Sequence, residues 1–107
     1  MNNMNQILKQ AQKMQEKLAA AQDELEKKEV TGTAGAGLIN ITMTVGKEVK
    51  SVSIEKSIIN PDDKEMLEDL IVAAFNDATQ KADSIFEKGM TEASGGFDIS
   101  KLSRGMF

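Results

Sequence analysis

The chain opens with apolar residues recurring every three or four positions. Met4, Ile7, Ala11, Met14, Leu18, Ala21 and Leu25 alternate between the two seam positions of a heptad. This spacing predicts a helix over residues 3–28, roughly 40 Å long at 1.5 Å per residue. Leu8 widens the seam at one end only, so the apolar stripe stays narrow. The period then changes. From Leu38 to Val45 the residues alternate, with Ile39, Ile41, Met43 and Val45 on one side and Leu38, Asn40, Thr42 and Thr44 on the other, as in a half-buried strand. Strands are expected over residues 29–35, 37–45 and 49–56. Gly46-Lys47 turns the chain between the second and third, and Val52 and Ile54 share one face of the third, with Lys50, Ser51 and Ser53 outside it. Elements this close in sequence pair most simply as an antiparallel meander. A second helix is announced by Asn60-Pro61-Asp62-Asp63: asparagine caps free amides, proline is pre-set for the first helical position, and the acids suit the positive end of the macrodipole.

The two helices pose different packing problems. A three-stranded sheet is only about 10–15 Å across, so part of the first rod projects past its domain. Its seam there needs a partner chain, unless the helix is an ordinary amphipathic one folded onto its own core; the periodicity fits both. The second helix carries Met66, Leu67, Leu70, Ile71, Ala74, Phe75, Ala78, Ala82, Ile85 and Phe86 over a wide arc, extended by Val72 and Ala73. Such a helix is buried on more than one side. One side suits its own sheet and the other a second subunit, with Leu67, Leu70, Ile71, Ala74 and Phe75 as the candidate dimer interface. After Glu92 the text ASGGFDISKLSRGMF has no period. Residues 1–92 read as one domain and 93–107 as a flexible tail, in which Phe97, Ile99, Leu102, Met106 and Phe107 are available to dock.

Composition narrows the chemistry. With 107 residues, 40% apolar and 28% charged, one small globular domain is expected. The absence of cysteine and histidine removes disulfides, thiolate nucleophiles, imidazole bases and the usual zinc ligands. Asp62, Asp63 and Glu65, or Glu68 and Asp69, are the remaining thinkable acid-base or metal pairs, but acids at a capped helix start serve the dipole as solvated charges. No catalytic residue, metal or enzyme activity is assigned. The glycines of "EVTGTAGAGLINITMTVGKEV" invite a nucleotide reading, yet Gly32, Gly35 and Gly37 have neither P-loop nor dinucleotide spacing, and a strand follows them. A turn or bulge where two backbones approach closely is expected instead, with no cofactor. The start lacks a secretion signal and no segment is apolar enough to span a bilayer, so a soluble intracellular protein with no membrane partner is expected.

The net charge of −4 argues against nucleic acid until its distribution is considered. Residues 1–20 hold Lys9, Lys13 and Lys17 against Glu16, giving +2, whereas residues 57–92 hold nine acids against Lys64, Lys81 and Lys88, giving −6. Lys9, Lys13 and Lys17 are spaced four apart and share a helix face. Gln6, Gln10 and Gln12 add hydrogen-bonding groups, and Lys27, Lys28, Lys47 and Lys50 add charge near the sheet. Taken alone, such a stripe also describes an ordinary solvated surface. The single arginine, Arg104, lies in the tail, so bidentate reading of guanine is nearly absent. Without tryptophan or tyrosine, and with Phe75 and Phe86 expected to be buried, base stacking is not expected either. What remains is salt-sensitive backbone binding to duplex DNA. The competing reading is a dimeric protein-interaction module without direct DNA binding, drawn from the acidic second helix, the narrow seam and seven methionines.

Two stretches carry a family resemblance. "QILKQAQKMQEKLAAAQDELEKKEVTGTAGAGLINITMTVGKEVKSVSI" and "IINPDDKEMLEDLIVAAFNDATQKA" resemble the YbaB/EbfC family of bacterial nucleoid-associated proteins, over about residues 4–90. The lysine-glutamine first helix, the V-x-G-x-A-G-x-G run, the G-x-E-V-K-S-V hairpin and the MLEDLIVAAFNDA helix stand in the family's order and spacing. The resemblance implies an α+β subunit of α-β-β-β-α order, with a three-stranded antiparallel sheet and two long helices, forming a tweezer-like homodimer. It implies a cytoplasmic protein that binds duplex DNA, helps organise the nucleoid and takes part in regulating gene expression, with no cofactor and no small-molecule substrate. The charge and spacing along the chain, rather than the resemblance, make Lys9, Lys13, Lys17, Gln6, Gln10, Lys27 and Lys28 the candidate DNA-binding residues.

Overall fold

The computed structural model describes residues 2–95. Helix α1 (Asn2–Glu26) leads into strands β1 (Glu29–Ala34), β2 (Ile39–Thr44) and β3 (Val49–Ile54). Two single 3-10 turns at Lys56–Ile58 and Pro61–Asp63 then precede helix α2 (Lys64–Ala93). The strands pair in the order β1-β2-β3, antiparallel throughout. This is the expected α-β-β-β-α architecture of an α+β subunit. The first helix stops two residues before the predicted end. Lys28 is drawn into the sheet, where its carbonyl accepts the Val45 N–H at 2.7 Å, and helical continuation would forfeit that bond. At the second helix Asn60 caps as read, its Oδ1 accepting the Asp62 N–H at 3.0 Å. The Asp63 N–H closes an i→i+3 bond to the Asn60 carbonyl at 2.9 Å, so the first turn is 3-10 and the α-helix proper begins at Lys64.

The core lies between α2 and one face of the sheet. Ile39, Ile41, Met43 and Val45 are buried together with Val30, and α2 meets them through Ala74, Ala78 and Ala82, which lie one turn apart. Alanines on that line let the helix axis approach closely. Gly32 completes the fit, since a Cβ there would stand 2.2 Å from the Ala74 carbonyl oxygen and 2.4 Å from the Ala78 nitrogen. The other two glycines build the β1–β2 turn, where Gly35, Ala36 and Gly37 take φ values of 62°, 56° and 90°. The glycine run is therefore one backbone approach followed by one turn.

A bulge in β3 decides which of its residues face the core. Thr42 pairs with Ser51 but Met43 pairs with Val49, leaving Lys50 as the extra residue and bringing Val49 onto the face of Val52 and Ile54. That face is only partly covered. Helix α2 packs on β1 and β2, and while Ile54 joins the core, Val49 and Val52 remain 43% and 49% exposed. Phe75, which the apolar pattern places inside, is 44% exposed for the same reason. Asp77 and Lys81 reach the outer edge of β1, so the opposite flank of α2, with Val72 and Phe75 roughly 120–180° around the helix, turns to the side of β3.

The end of α1 folds back on the end of α2. Leu25 is buried, and a Cβ on Gly89 would come within 2.4 Å of its Cδ2; Leu18 and Ala21 are half-buried. Residues 3–17 are exposed throughout, including Met4, Ile7 and Met14 of the seam. The seam is thus divided, its last two turns serving the chain's own fold and its first four turns standing free. The radius of gyration of 19.8 Å exceeds the roughly 13 Å of a compact chain this long, as a projecting arm requires. No described helix is long and apolar enough to cross a membrane. Phe97, Ile99, Leu102, Arg104, Met106 and Phe107 lie outside the described residues.

Candidate nucleic-acid interface

The arm presents its lysines as the spacing predicts. Gln6, Lys9, Gln10, Lys13 and Lys17 fall on one stripe, roughly 120° around the helix from the Met4–Ile7–Ala11–Met14 seam. All five side chains are exposed. Among the described residues Lys9, Lys13 and Lys17 form no ion pair, nor do Lys27, Lys28, Lys56 and Lys88, whereas four lysines of the body are engaged. Lys47 meets Asp83 at 2.6 Å, Lys81 meets Asp77 at 3.0 Å, Lys50 meets Glu48 at 3.5 Å and Lys64 meets Glu68 at 3.8 Å. Lys27 and Lys28 stand exposed at the root of the arm, about 15 Å along from Lys17. There they share the surface with Asp23 and Glu24, so the root is electrically mixed and the outer arm is the cationic part. Lys88, on the exposed surface of the last turns of α2, was not singled out in the sequence, where Glu87 and Glu92 mask it.

The geometry also settles how an acidic chain keeps a cationic surface. Asp62, Asp63, Glu65, Glu68 and Asp69 crowd the 3-10 turn before α2 and its first turns, and the arm is rooted at the far end of α2, where Gly89 receives Leu25. From Asp69 to Gly89 the helix runs about 30 Å at 1.5 Å per residue. A Debye length is about 8 Å at physiological ionic strength, so this acid cluster is screened from the arm. Of the nearer acids, Asp77 and Asp83 are held by Lys81 and Lys47, while Glu87 and Glu92 stand exposed beside the root.

The candidate dimer residues are distributed unevenly. Ala74 has no exposed surface, and Leu67, Leu70 and Ile71 are half-buried against the core of their own subunit. Phe75 alone among the five is largely open. It lies on the flank of α2 that also carries Val72, on the side of Val49 and Val52. The valines of β3 could not be found from sequence, because their exposure depends on the helix lying over the other two strands.

The model of the YbaB/EbfC DNA-binding family matches residues 1–97. A nucleoid-associated protein of Xanthomonas oryzae pv. oryzae (strain MAFF 311018) is 52% identical over 97 residues, spanning 91% of this chain and 90% of its own. A nucleoid-associated protein of Ruminiclostridium cellulolyticum is 46% identical over 94 residues, spanning 88% of this chain and 82% of its own. The crystal structure of an uncharacterized protein from Helicobacter pylori matches with a TM-score of 0.63, over 75% of this chain and 84% of that one, at 18% identity; that likeness concerns the fold alone. With the lysine-glutamine arm, the glycine-bearing β1 and the alanine-lined α2 all inside the matched span, the chain belongs to the YbaB/EbfC DNA-binding family.

Proposed function

We propose that the protein binds duplex DNA as a homodimer, through phosphate contacts made by its α1 arms, and so helps organise the nucleoid in the cytoplasm. The observation that carries this reading is the Lys9–Lys13–Lys17 stripe, free of ion pairs among the described residues, on an arm rooted at the end of α2 away from its acid cluster. Each lysine can release a condensed counterion on meeting a phosphate, the main sequence-independent source of DNA affinity. Gln6 and Gln10 lie on the same stripe and add hydrogen bonds to phosphates or base edges. Lys27 and Lys28 extend the contact toward the body.

The homodimer rests on the open apolar surface of Phe75, Val72, Val49 and Val52, to which the exposed parts of Leu67, Leu70 and Ile71 contribute. A second copy presenting the same patch about a two-fold axis removes it from water on both sides. Two arms per dimer then present six stripe lysines to one duplex. A titration of mixed-sequence duplex by gel shift at two salt concentrations tests the reading; affinity should fall steeply with salt. A specific observation also favours a second reading, that of a protein-interaction module, because Met4 and Ile7 are 71% and 63% exposed on the free arm. Absence of any salt-dependent DNA binding by the wild type would select it.

A further inference from the structure

The two edges of the sheet are finished differently. The Val45 N–H bond to the Lys28 carbonyl sets the alternation along β1: residues 28, 30, 32 and 34 turn their backbone groups to β2, and 29, 31 and 33 turn theirs outward. Two of those outward groups are taken by side chains of α2. The Thr33 N–H donates to Asp77 Oδ2 at 2.9 Å, and Lys81 Nζ donates to the Thr31 carbonyl at 2.9 Å. Asp77 and Lys81 also pair with each other at 3.0 Å. A residue of an added parallel strand would accept from the N–H of residue 33 and donate to the carbonyl of residue 31. An acceptor and a donor side chain, one turn apart on α2, hold those same two groups. On β3 no side chain reaches the outward backbone groups of Val52 and Ile54 among the described residues.

We infer that the Asp77–Lys81 pair closes the β1 edge against strand addition by another copy of this chain, so that growth of the sheet through β1 is blocked. An open edge strand is a template for a further chain, and a sheet open at both edges can add copies without limit. Closing one edge converts that open-ended process into a closed one. The inference is independent of DNA binding and of which surface forms the dimer.

The test compares Asp77→Ala/Lys81→Ala with the control Lys47→Ala/Asp83→Ala, which removes an α2–sheet ion pair away from the β1 edge. Sedimentation at increasing protein concentration and amide exchange at Thr33 are the readouts. The double variant is expected to exchange the Thr33 amide roughly tenfold faster or more, since a bond to a charged acceptor is lost, and to form species larger than wild type. The control keeps the wild-type mass and the wild-type Thr33 rate. Adding Thr33→Pro to the double variant removes the exposed donor at an edge position where proline is tolerated, and should return the mass to the wild-type value. A folded double variant with wild-type mass overturns the inference, whether or not Thr33 exchanges faster. If the double variant does not fold, Lys81→Ala alone, which frees the Thr31 carbonyl by removing a largely exposed side chain, decides by the same mass measurement.

Discussion

Replacing Lys9, Lys13 and Lys17 by glutamate examines the arm directly. The three side chains are exposed, lie off the seam and form no ion pair among the described residues, so the change reverses charge without removing packing. Glutamate is as good a helix former as lysine, and α1 should keep its length. Lys9 to Lys17 spans about 12 Å of helix, a length along which duplex DNA carries roughly seven phosphate charges, so all three lysines of one arm have phosphates within reach. Two arms neutralise at most about six phosphates, which sets an upper slope of roughly −5 in log affinity per decade of salt. Between 50 and 200 mM salt that amounts to about a thousandfold loss of affinity. Mixed acids at the arm root make the true slope shallower. Fluorescence anisotropy on several unrelated duplexes should show the triple variant failing to bind all of them alike, with circular dichroism and sedimentation unchanged. Alanine at a single stripe position should lower the slope by nearly two, because each substitution appears in both arms. If the triple variant binds as tightly as wild type, the contact surface is elsewhere, with Lys27 and Lys28 the next positions to change.

Four further expectations concern the body of the molecule. Gly32→Ala places a methyl group against the α2 backbone and should cost about 3 kcal/mol or more in urea unfolding, whereas Gly37→Ala, in open space at φ 90°, should cost only about 1–2 kcal/mol; equal effects would refute the close-approach role. Val52→Glu or Phe75→Glu should yield a folded subunit of half the wild-type mass, while Leu70→Asp, which puts a charge against the core, should unfold it; a wild-type mass in the first two would remove the proposed interface. The Thr33 N–H, and then Lys81, hold the Asp77 carboxyl below the ordinary aspartate range. A depressed folded pKa gives stability that is present above the unfolded value and lost as pH falls through the folded one, so Asp77→Asn should flatten the stability profile below about pH 4 and leave its shape near neutrality unchanged. Calorimetry with ATP, GTP or NAD should register no binding heat, and a micromolar site would contradict the turn assignment of Gly35 and Gly37.

Much of the fold was legible because each element has its own period and its own stops. The alternation from Leu38 to Val45 identified Ile39, Ile41, Met43 and Val45 as the core face, since a strand pointing side chains to opposite faces leaves only one register compatible with a single core; it did not show that Thr44, on the other face, is buried too. The Asn60-Pro61 start was readable because capping is local chemistry, decided within two residues. The candidate site was legible to the same depth: four-residue spacing put three lysines on one face whatever the helix packs against. Burial on α2 was less legible. Its apolar arc covers more than one side, and nothing local says which part meets the sheet, so Phe75 read like Ala74 although one is open and the other fully enclosed.

The sequence by itself determined the elements, their order, the cationic stripe and the absence of nucleotide-site spacing, all of which follow from residues within a few positions of each other. Tertiary structure decided the rest. Only the close approach of α2 to Gly32 placed the helix over β1 and β2, which in turn exposed Val49 and Val52 and let Asp77 and Lys81 reach the β1 edge. Likewise, only the packing of Leu25 on Gly89 divided the α1 seam into a covered root and a free arm, setting the lysines apart from the acids that give the chain its net charge. These are contacts between residues 40 or more positions apart, and they depend on side-chain volume and helix placement, to which the period of a sequence is blind.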